Sequence, residues 1–194
     1  LDKAGLAENT IVVFFSDNGG LSIKAQPGPT SNLPLRAGKG WLYEGGIRVP
    51  LIVRAPGITK AGSSSDAVVI STDVFPTLLE LAGLPQQPQD HLDGKSFASV
   101  LRGKQPQKDR TLYWHYPHYH GSTWAPAGAI RDGDWKLIEF FDEESVELYN
   151  LKDDLGERTN LAAAQPQRTR ELQEKLAAWR KGVGAKIPPV RQSP

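Results

Sequence analysis

The sequence predicts an α/β region followed by a small antiparallel sheet with one packed helix, and three observations predict it. Thr10-Ile11-Val12-Val13-Phe14-Phe15-Ser16 is a near-continuous apolar run, the pattern of a strand in a parallel sheet covered on both faces. Val74, Phe75, Leu78, Leu79 and Ala82 then recur at helical spacing. From about residue 110 the pattern changes to short strands separated by turn residues, closed by one amphipathic helix.

Each element has a local reason. Residues 1–6 read as the tail of a helix closed by Gly5. Residues 17–46 are loop-rich and carry the Gln26-Pro27-Gly28-Pro29 turn cluster, and a loop of this length inside a compact domain is usually functional. Residues 49–53 form a strand, and residues 67–70 are a candidate for another. Ser71 or Thr72 is placed to cap the helix that follows, Pro76 falls in its first turn, and Gly83 ends it.

Residues 111–116 form an aromatic-rich strand. Ala129-Ile130-Arg131 and residues 135–140 flank Asp132-Gly133, the signal for a tight hairpin. Residues 146–150 follow the acidic turn Asp142-Glu143-Glu144. Pro166 suits the first turn of a last helix, with Leu172, Leu176, Trp179 and Val183 on one face and Glu171 spaced to pair with Lys175. The tail from Pro188 is expected to fray. These elements divide the chain into residues 1–105, α/β, and residues 106–194, an α+β subdomain.

The chemistry concentrates after the first strand. Asp17-Asn18-Gly19-Gly20 puts two hard oxygen donors at a strand's carboxyl end, where open α/β sheets bind ligands. Such donors suit Ca²⁺ or Mg²⁺. The same four residues also make an ordinary polar turn. In Gly38-Lys39-Gly40 a lysine is bracketed by glycines, so backbone can approach a ligand while the ammonium supplies a mobile charge. A lone Gly-Lys-Gly is more often a solvated loop. Its company, Asp17-Asn18 upstream and Glu44-Gly45-Gly46 downstream, favours a cation site and an anion-binding lysine on one rim.

These segments resemble the type I, formylglycine-dependent sulfatases, the arylsulfatase family. The likeness is carried by Phe15-Ser16-Asp17-Asn18-Gly19-Gly20, by Gly38-Lys39-Gly40 with Tyr43-Glu44-Gly45-Gly46-Ile47-Arg48-Val49-Pro50, and by Asp73-Val74-Phe75-Pro76-Thr77-Leu78-Leu79-Glu80-Leu81-Ala82-Gly83. Ala129-Ile130-Arg131-Asp132-Gly133-Asp134-Trp135-Lys136-Leu137 fits as well, as do Glu147-Leu148-Tyr149-Asn150-Leu151 and Gly156-Glu157-Arg158-Thr159-Asn160-Leu161. Their order and spacing are similar to the last part of such an enzyme.

The resemblance implies an alkaline-phosphatase-like α/β domain with a small carboxyl-terminal α+β subdomain. It implies sulfuric ester hydrolysis, with Asp17 and Asn18 as ligands of a divalent cation, usually Ca²⁺ with Mg²⁺ as the alternative, and Lys39 bonding a sulfate oxygen. Lys39 is then an electrostatic stabiliser and not a general base. Glu44, in its Glu-Gly-Gly turn, reads as structural with an acid or base role as the alternative, and Arg48 reads as structural with orientation of the metal shell as the alternative. The family's formylglycine arises from Cys-x-Pro-x-Arg or Ser-x-Pro-x-Arg. This chain has no cysteine and no Ser-x-Pro-x-Arg, so it reads as a carboxyl-terminal portion, inactive alone, whose main partner is the amino-terminal half of the same protein. The compartment expected from the resemblance is periplasmic, secreted or lysosome-like.

Trp114-His115-Tyr116-Pro117-His118-Tyr119-His120 gathers three of the chain's 4 histidines. Its spacing matches no zinc motif, and a packed aromatic loop is the simplest reading. Related sulfatases bring such loops to the pocket rim, and aromatic and imidazole surfaces suit sugar faces, which nominates His118 and His115 for substrate contact. His91 reads as surface. The substrate the resemblance implies is a sulfate ester, with a sulfated carbohydrate as one candidate.

Composition narrows the partners. The formal charge of +1 gives no basis for a nucleic-acid partner, and no apolar stretch approaches the roughly 20 residues that span a bilayer. Fifteen prolines and 19 glycines interleaved with apolar segments indicate long loops. Two alternatives remain: a phosphodiesterase or phosphonate hydrolase on the same scaffold, and a non-catalytic glycan-binding module.

Overall fold

The computed structural model describes residues 1–22, 29–106 and 110–189 of the 194-residue chain, so Gln26-Pro27-Gly28 and residues 190–194 of the tail lie outside the described residues. The chain forms two compact units, Leu1–Asp17 with Pro50–Lys108, and Asn18–Val49 with Asp109–Pro194. The division is not a linear one at residue 105, because residues 18–49 group with the carboxyl-terminal sheet.

In the first unit, strand β1 (Val12–Phe15) pairs antiparallel with β2 (Leu51–Arg54), in register Val13 with Val53 and Phe14 with Ile52. The parallel partner suggested by the apolar run is not found among the described residues. One face of the ribbon is open, with Phe14 and Ile52 each 63% exposed, while on the other Val13, Leu51 and Val53 are partly buried and Phe15 is 41% exposed. Residues 67–70 form no strand, because no neighbouring strand is hydrogen-bonded to them among the described residues.

Helix α2 (Val74–Leu81) starts differently from the expected Ser71 or Thr72 cap, which instead lie in a 3-10 turn, Ser71–Asp73. Asp73 does the work. Its fully buried carboxylate accepts the N–H groups of Ile70 at 2.9 Å and Lys95 at 2.8 Å, tying the turn to the segment before α3 (Ala98–Leu101). Thr77 Oγ1 donates to Asp73 O and accepts the Phe97 N–H, so this buried polar pair is satisfied. His91 is half-buried rather than on the surface, edge-on to Phe75 at 6.2 Å.

The second unit is built on a four-stranded meander: β3 (Thr111–Tyr116), β4 (Ala127–Asp132), β5 (Trp135–Phe140) and β6 (Ser145–Asn150). The β4–β5 turn is Gly133-Asp134, with Gly133 at φ 61°, a conformation glycine adopts without strain. Because side chains alternate along a strand, the central strands present two different sets. Ile130, Leu137 and Leu148 face helix α4 (Pro166–Val183), where Leu172 and Leu176 complete one core. Ala129, Ile138 and Tyr149 face the other way, onto Leu42, Tyr43 and Trp124. Both faces of the sheet are therefore buried, one under α4 and one under the segment that carries Lys39.

Helix α4 begins at Pro166, as its sequence requires, and two side-chain expectations are corrected, at Lys175 and Val183. Lys175 pairs with Asp132 of β4, not with Glu171, whose partner is Arg168 at 3.2 Å. Val183 is 57% exposed because the helix has run past the sheet edge. Trp179 is half-buried, its ring stacked on Tyr113 at 4.9 Å with planes 3° apart. No described helix is long and apolar enough to cross a membrane.

Candidate functional site

Four short pieces of backbone meet in the second unit: Asn18-Gly19-Gly20, Asn32, Ala37-Gly38-Lys39-Gly40 and helix α1 (Glu44–Ile47). The Gly19 N–H donates to Gly46 O at 2.9 Å, and the Lys39 N–H donates to Gly20 O at 3.1 Å. The glycines are required by close approach. A Cβ on Gly19 would sit 1.7 Å from Gly45 O, one on Gly38 2.3 Å from Gly20 O, and one on Gly46 2.0 Å from Trp41 O. Backbone packs on backbone here, which no side chain beyond hydrogen permits.

Helix α1 is anchored from beneath by a buried charge cluster. Lys136 Nζ, from β5, lies 3.0 Å from Glu44 Oε1 and 2.8 Å from Glu157 Oε1, and all three residues are at most 1% exposed. Glu157 Oε2 accepts the Glu44 N–H at 2.7 Å. Arg131 and Arg48 stand 3.6 and 3.8 Å from Glu44 Oε2. Burial pushes the Glu157 carboxyl above the ordinary carboxylate range, against the opposing pull of Lys136. Glu44 is thus built into the buried cluster, and the half-exposed Arg48 stands at its edge.

Arg36 closes the next layer. Its guanidinium lies 3.7 Å over the Tyr43 ring and donates to Tyr149 Oη and to Glu157 O, both at 2.8 Å. Tyr43 and Tyr149 both donate to Glu147 Oε2, and burial followed by this carboxylate raises both phenols. A cavity of about 170 Å³ opens beside Arg36, Ala37, Trp41 and Tyr43.

The sequence-nominated residues fall as follows. Lys39 is exposed, on a loop held at both ends. Asn18 opens the second unit and is half-buried, while the exposed Asp17 closes the first unit, its Oδ1 3.5 Å from Ser16 Oγ. His118 is exposed and edge-on to Tyr116 at 5.7 Å. His115 is turned inward: it lies 5.6 Å from Phe141, and its Nε2 is 3.0 Å from Lys186 O. Among the described residues, no group of three or more His, Cys, Asp or Glu converges as a metal cluster.

Sequence reasoning passed over the histidine that stands beside the lysine loop. A Cβ on Gly40, whose φ is 86°, would fall 2.2 Å from His120 Nδ1. His120 Nδ1 accepts the Ser122 N–H at 3.1 Å, and Ser122 Oγ donates to Gly40 O at 3.3 Å. His120 Nδ1 also lies 2.9 Å from Ser122 Oγ. Asn32 and Glu157 were also unassigned. Glu157 lies in a segment that carries the family likeness, and Asn32 offers no local signal.

Residues 37–182 match the family described as N-sulphoglucosamine sulphohydrolase, C-terminal. A sulfatase of Formosa agariphila is 46% identical over 190 residues, covering 90% of this chain and 34% of that protein. Arylsulfatase K of Bos taurus is 34% identical over 183 residues, covering 91% of this chain and 32% of that protein. The crystal structure of Ps i-CgsB in complex with k-i-k-neocarrahexaose superposes with a TM-score of 0.77 at 29% identity, covering 92% of this chain and 38% of that one. BT4656 in complex with its substrate D-glucosamine-2-N,6-O-disulfate gives 0.76 at 29% identity, over 99% of this chain and 38% of that one. The chain spans about a third of the length of these curated relatives. By the extent of these matches, the chain belongs to the sulfatase family.

Proposed function

We propose that the protein carrying this chain hydrolyses sulfate esters of carbohydrates. The observation that carries the reading is the direct backbone bond from the Lys39 N–H to Gly20 O, which couples the lysine loop to the turn beginning at Asn18. Relatives named as sulfatases, and structural neighbours whose titles print a carrageenan oligosaccharide and a sulfated glucosamine, support the substrate class.

Asp17 and Asn18 fit a hard dication by donor chemistry, being one carboxylate and one neutral amide oxygen consecutive in the chain. They would hold Ca²⁺, with Mg²⁺ as the alternative, as two of the about 6–8 oxygens that Ca²⁺ takes. The cation supplies charge neutralisation for the sulfate, and formylglycine, whose precursor motif this chain lacks, supplies the nucleophile. Lys39 contributes a full positive charge at a sulfate oxygen, where negative charge must be stabilised as the ester is attacked. Its loop position leaves the ammonium free to reach outward while its backbone stays fixed. His118 reaches the sugar from the rim.

The experiment uses the full-length protein and sulfated monosaccharides, with released sulfate measured directly. Sulfate release that is lost on chelation and restored by Ca²⁺ is the expected result. Faster turnover of phosphodiesters than of sulfate esters would overturn the reading in favour of a phosphodiesterase. Glycan binding without turnover would overturn it in favour of a binding module.

A further inference from the structure

We infer that Asn32 is a positioning residue that sets the distance between the Asn18-Gly19-Gly20 turn and Lys39. The inference rests on the sulfatase reading of those two elements.

The carboxamide of Asn32 engages Gly20 as a strand partner would. Its Oδ1 accepts the Gly20 N–H at 3.1 Å, and its Nδ2 donates back to Gly20 O at 2.8 Å. The second Nδ2 hydrogen reaches Ala37 O at 3.0 Å. One side chain therefore uses three of its four hydrogen-bonding sites to join two loops. Gly20 O also accepts the Lys39 N–H, so Asn32 and Lys39 share one acceptor.

The orientation of the amide is dictated by its partners. Turned over, Oδ1 would face two carbonyl oxygens and Nδ2 would face an N–H, leaving all three contacts repulsive. The fit is close as well: a Cβ on Gly38 would lie 2.7 Å from Asn32 Nδ2, and one on Gly20 2.9 Å from Asn32 Oδ1.

Ala37 gives an independent reason to place the control at Asn32. Its φ of 59° is left-handed, which costs an L-residue free energy and persists where surroundings over-determine it. The carbonyl that Asn32 holds is Ala37's own, two residues before Lys39. Releasing it lets Ala37 relax and swings the lysine. The ammonium is exposed and flexible, so what the protein can set is where its backbone starts, and Asn32 sets that.

The test uses the full-length protein with a sulfated monosaccharide. Asn32→Asp keeps the shape and the Gly20 N–H acceptor but turns a carboxylate oxygen toward two carbonyls. It should lower kcat about 100-fold, with KM within about threefold, the scale expected of a misplaced catalytic group. Asn32→Ala in a Lys39→Ala background should add less than about threefold, because both act through the same ammonium. Amide hydrogen exchange gives a readout apart from turnover: protection at Lys39, whose N–H donates to Gly20 O, should fall in Asn32→Asp while that at Ala129 and Ile138 is kept. If Asn32→Asp does not fold, Asn32→Ser is read the same way.

Turnover within about threefold of wild type in Asn32→Asp, or unchanged protection at Lys39, overturns the inference while Lys39→Ala remains inactive. A fully active Lys39→Ala overturns the sulfatase role of the lysine itself, and the inference falls with it.

Discussion

Lys136 and Glu44 form a buried ion pair, Nζ to Oε1 3.0 Å, that joins the second residue of β5 to the first residue of α1. Glu157 stands on the other side of the same ammonium at 2.8 Å. A lysine in the interior of a sheet costs free energy unless it is paired, and here its two carboxylates belong to the segments that carry the family likeness. The sheet thereby specifies where the Glu44-Gly45-Gly46 turn sits, and that turn receives the Gly19 N–H.

Lys136→Met should destabilise the protein by about 3–5 kcal/mol, because buried Glu157 loses its cation and Glu44 loses the nearest of its three. The deficit should grow with pH. The folded-state pKa of Glu157 is raised by burial, so the stability tied to this group is fully present below its ordinary value of 4.5 and is lost as pH rises through the folded value. Removing Lys136 removes the pull that opposes burial and raises that value further. Urea denaturation of wild type and variant at pH 5 and pH 8 checks the sign.

Gly19→Ala should damage function and stability together. Its Cβ would meet Gly45 O at 1.7 Å, a clash between two backbones with no flexible side chain to yield. A cost of about 1–3 kcal/mol is expected, with Asn18 displaced as the turn gives way. Thermal melting and kcat are measured on the same preparation, and a variant normal in both contradicts the close approach.

Lys39→Ala should separate activity from stability. The side chain is exposed, so the melting temperature should stay near that of wild type. Turnover should fall about 100- to 1,000-fold, the usual loss on removing one electrostatic stabiliser. A variant with unaltered kcat disproves the assigned role.

The two nominated histidines should part company. His115 Nε2 is engaged near Lys186 O and the ring lies against Phe141, so His115→Ala should lower the melting temperature and leave KM unchanged. His118 is exposed, and on the proposed role in sugar contact His118→Ala should raise KM for the sulfated sugar with stability unaltered. Steady-state kinetics alongside thermal melts distinguishes them, and the reverse pattern exchanges their roles.

Trp179→Ala should cost about 2 kcal/mol, below the ~3–5 expected of a fully enclosed tryptophan. The ring is half-buried and its main partner is Tyr113. Chemical denaturation of Trp179→Ala and Tyr113→Ala, alone and combined, should show a coupling of about 0.5–1.5 kcal/mol from the stack.

The sequence by itself determined the elements whose signals are local. Residues 111–116, the turn after Asp132, residues 135–140 and the start of α4 at Pro166 could all be read, because strand alternation, turn chemistry and proline placement act within a few residues. Family membership was legible for the same reason, being carried by short ordered motifs. Tertiary structure alone decided the pairings between distant segments: Lys136 with Glu44 and Glu157, Arg36 with Tyr149, Lys175 with Asp132 instead of Glu171, and His120 beside Gly40. It also decided that Ala37, Trp41, Leu42, Tyr43 and Ile47 cover one face of the carboxyl-terminal sheet, and that the glycines of Asn18-Gly19-Gly20 and Glu44-Gly45-Gly46 serve each other. The physical reason is that a buried charge or a missing Cβ has meaning only against the atoms it meets, and the chain brings those atoms from far along its length.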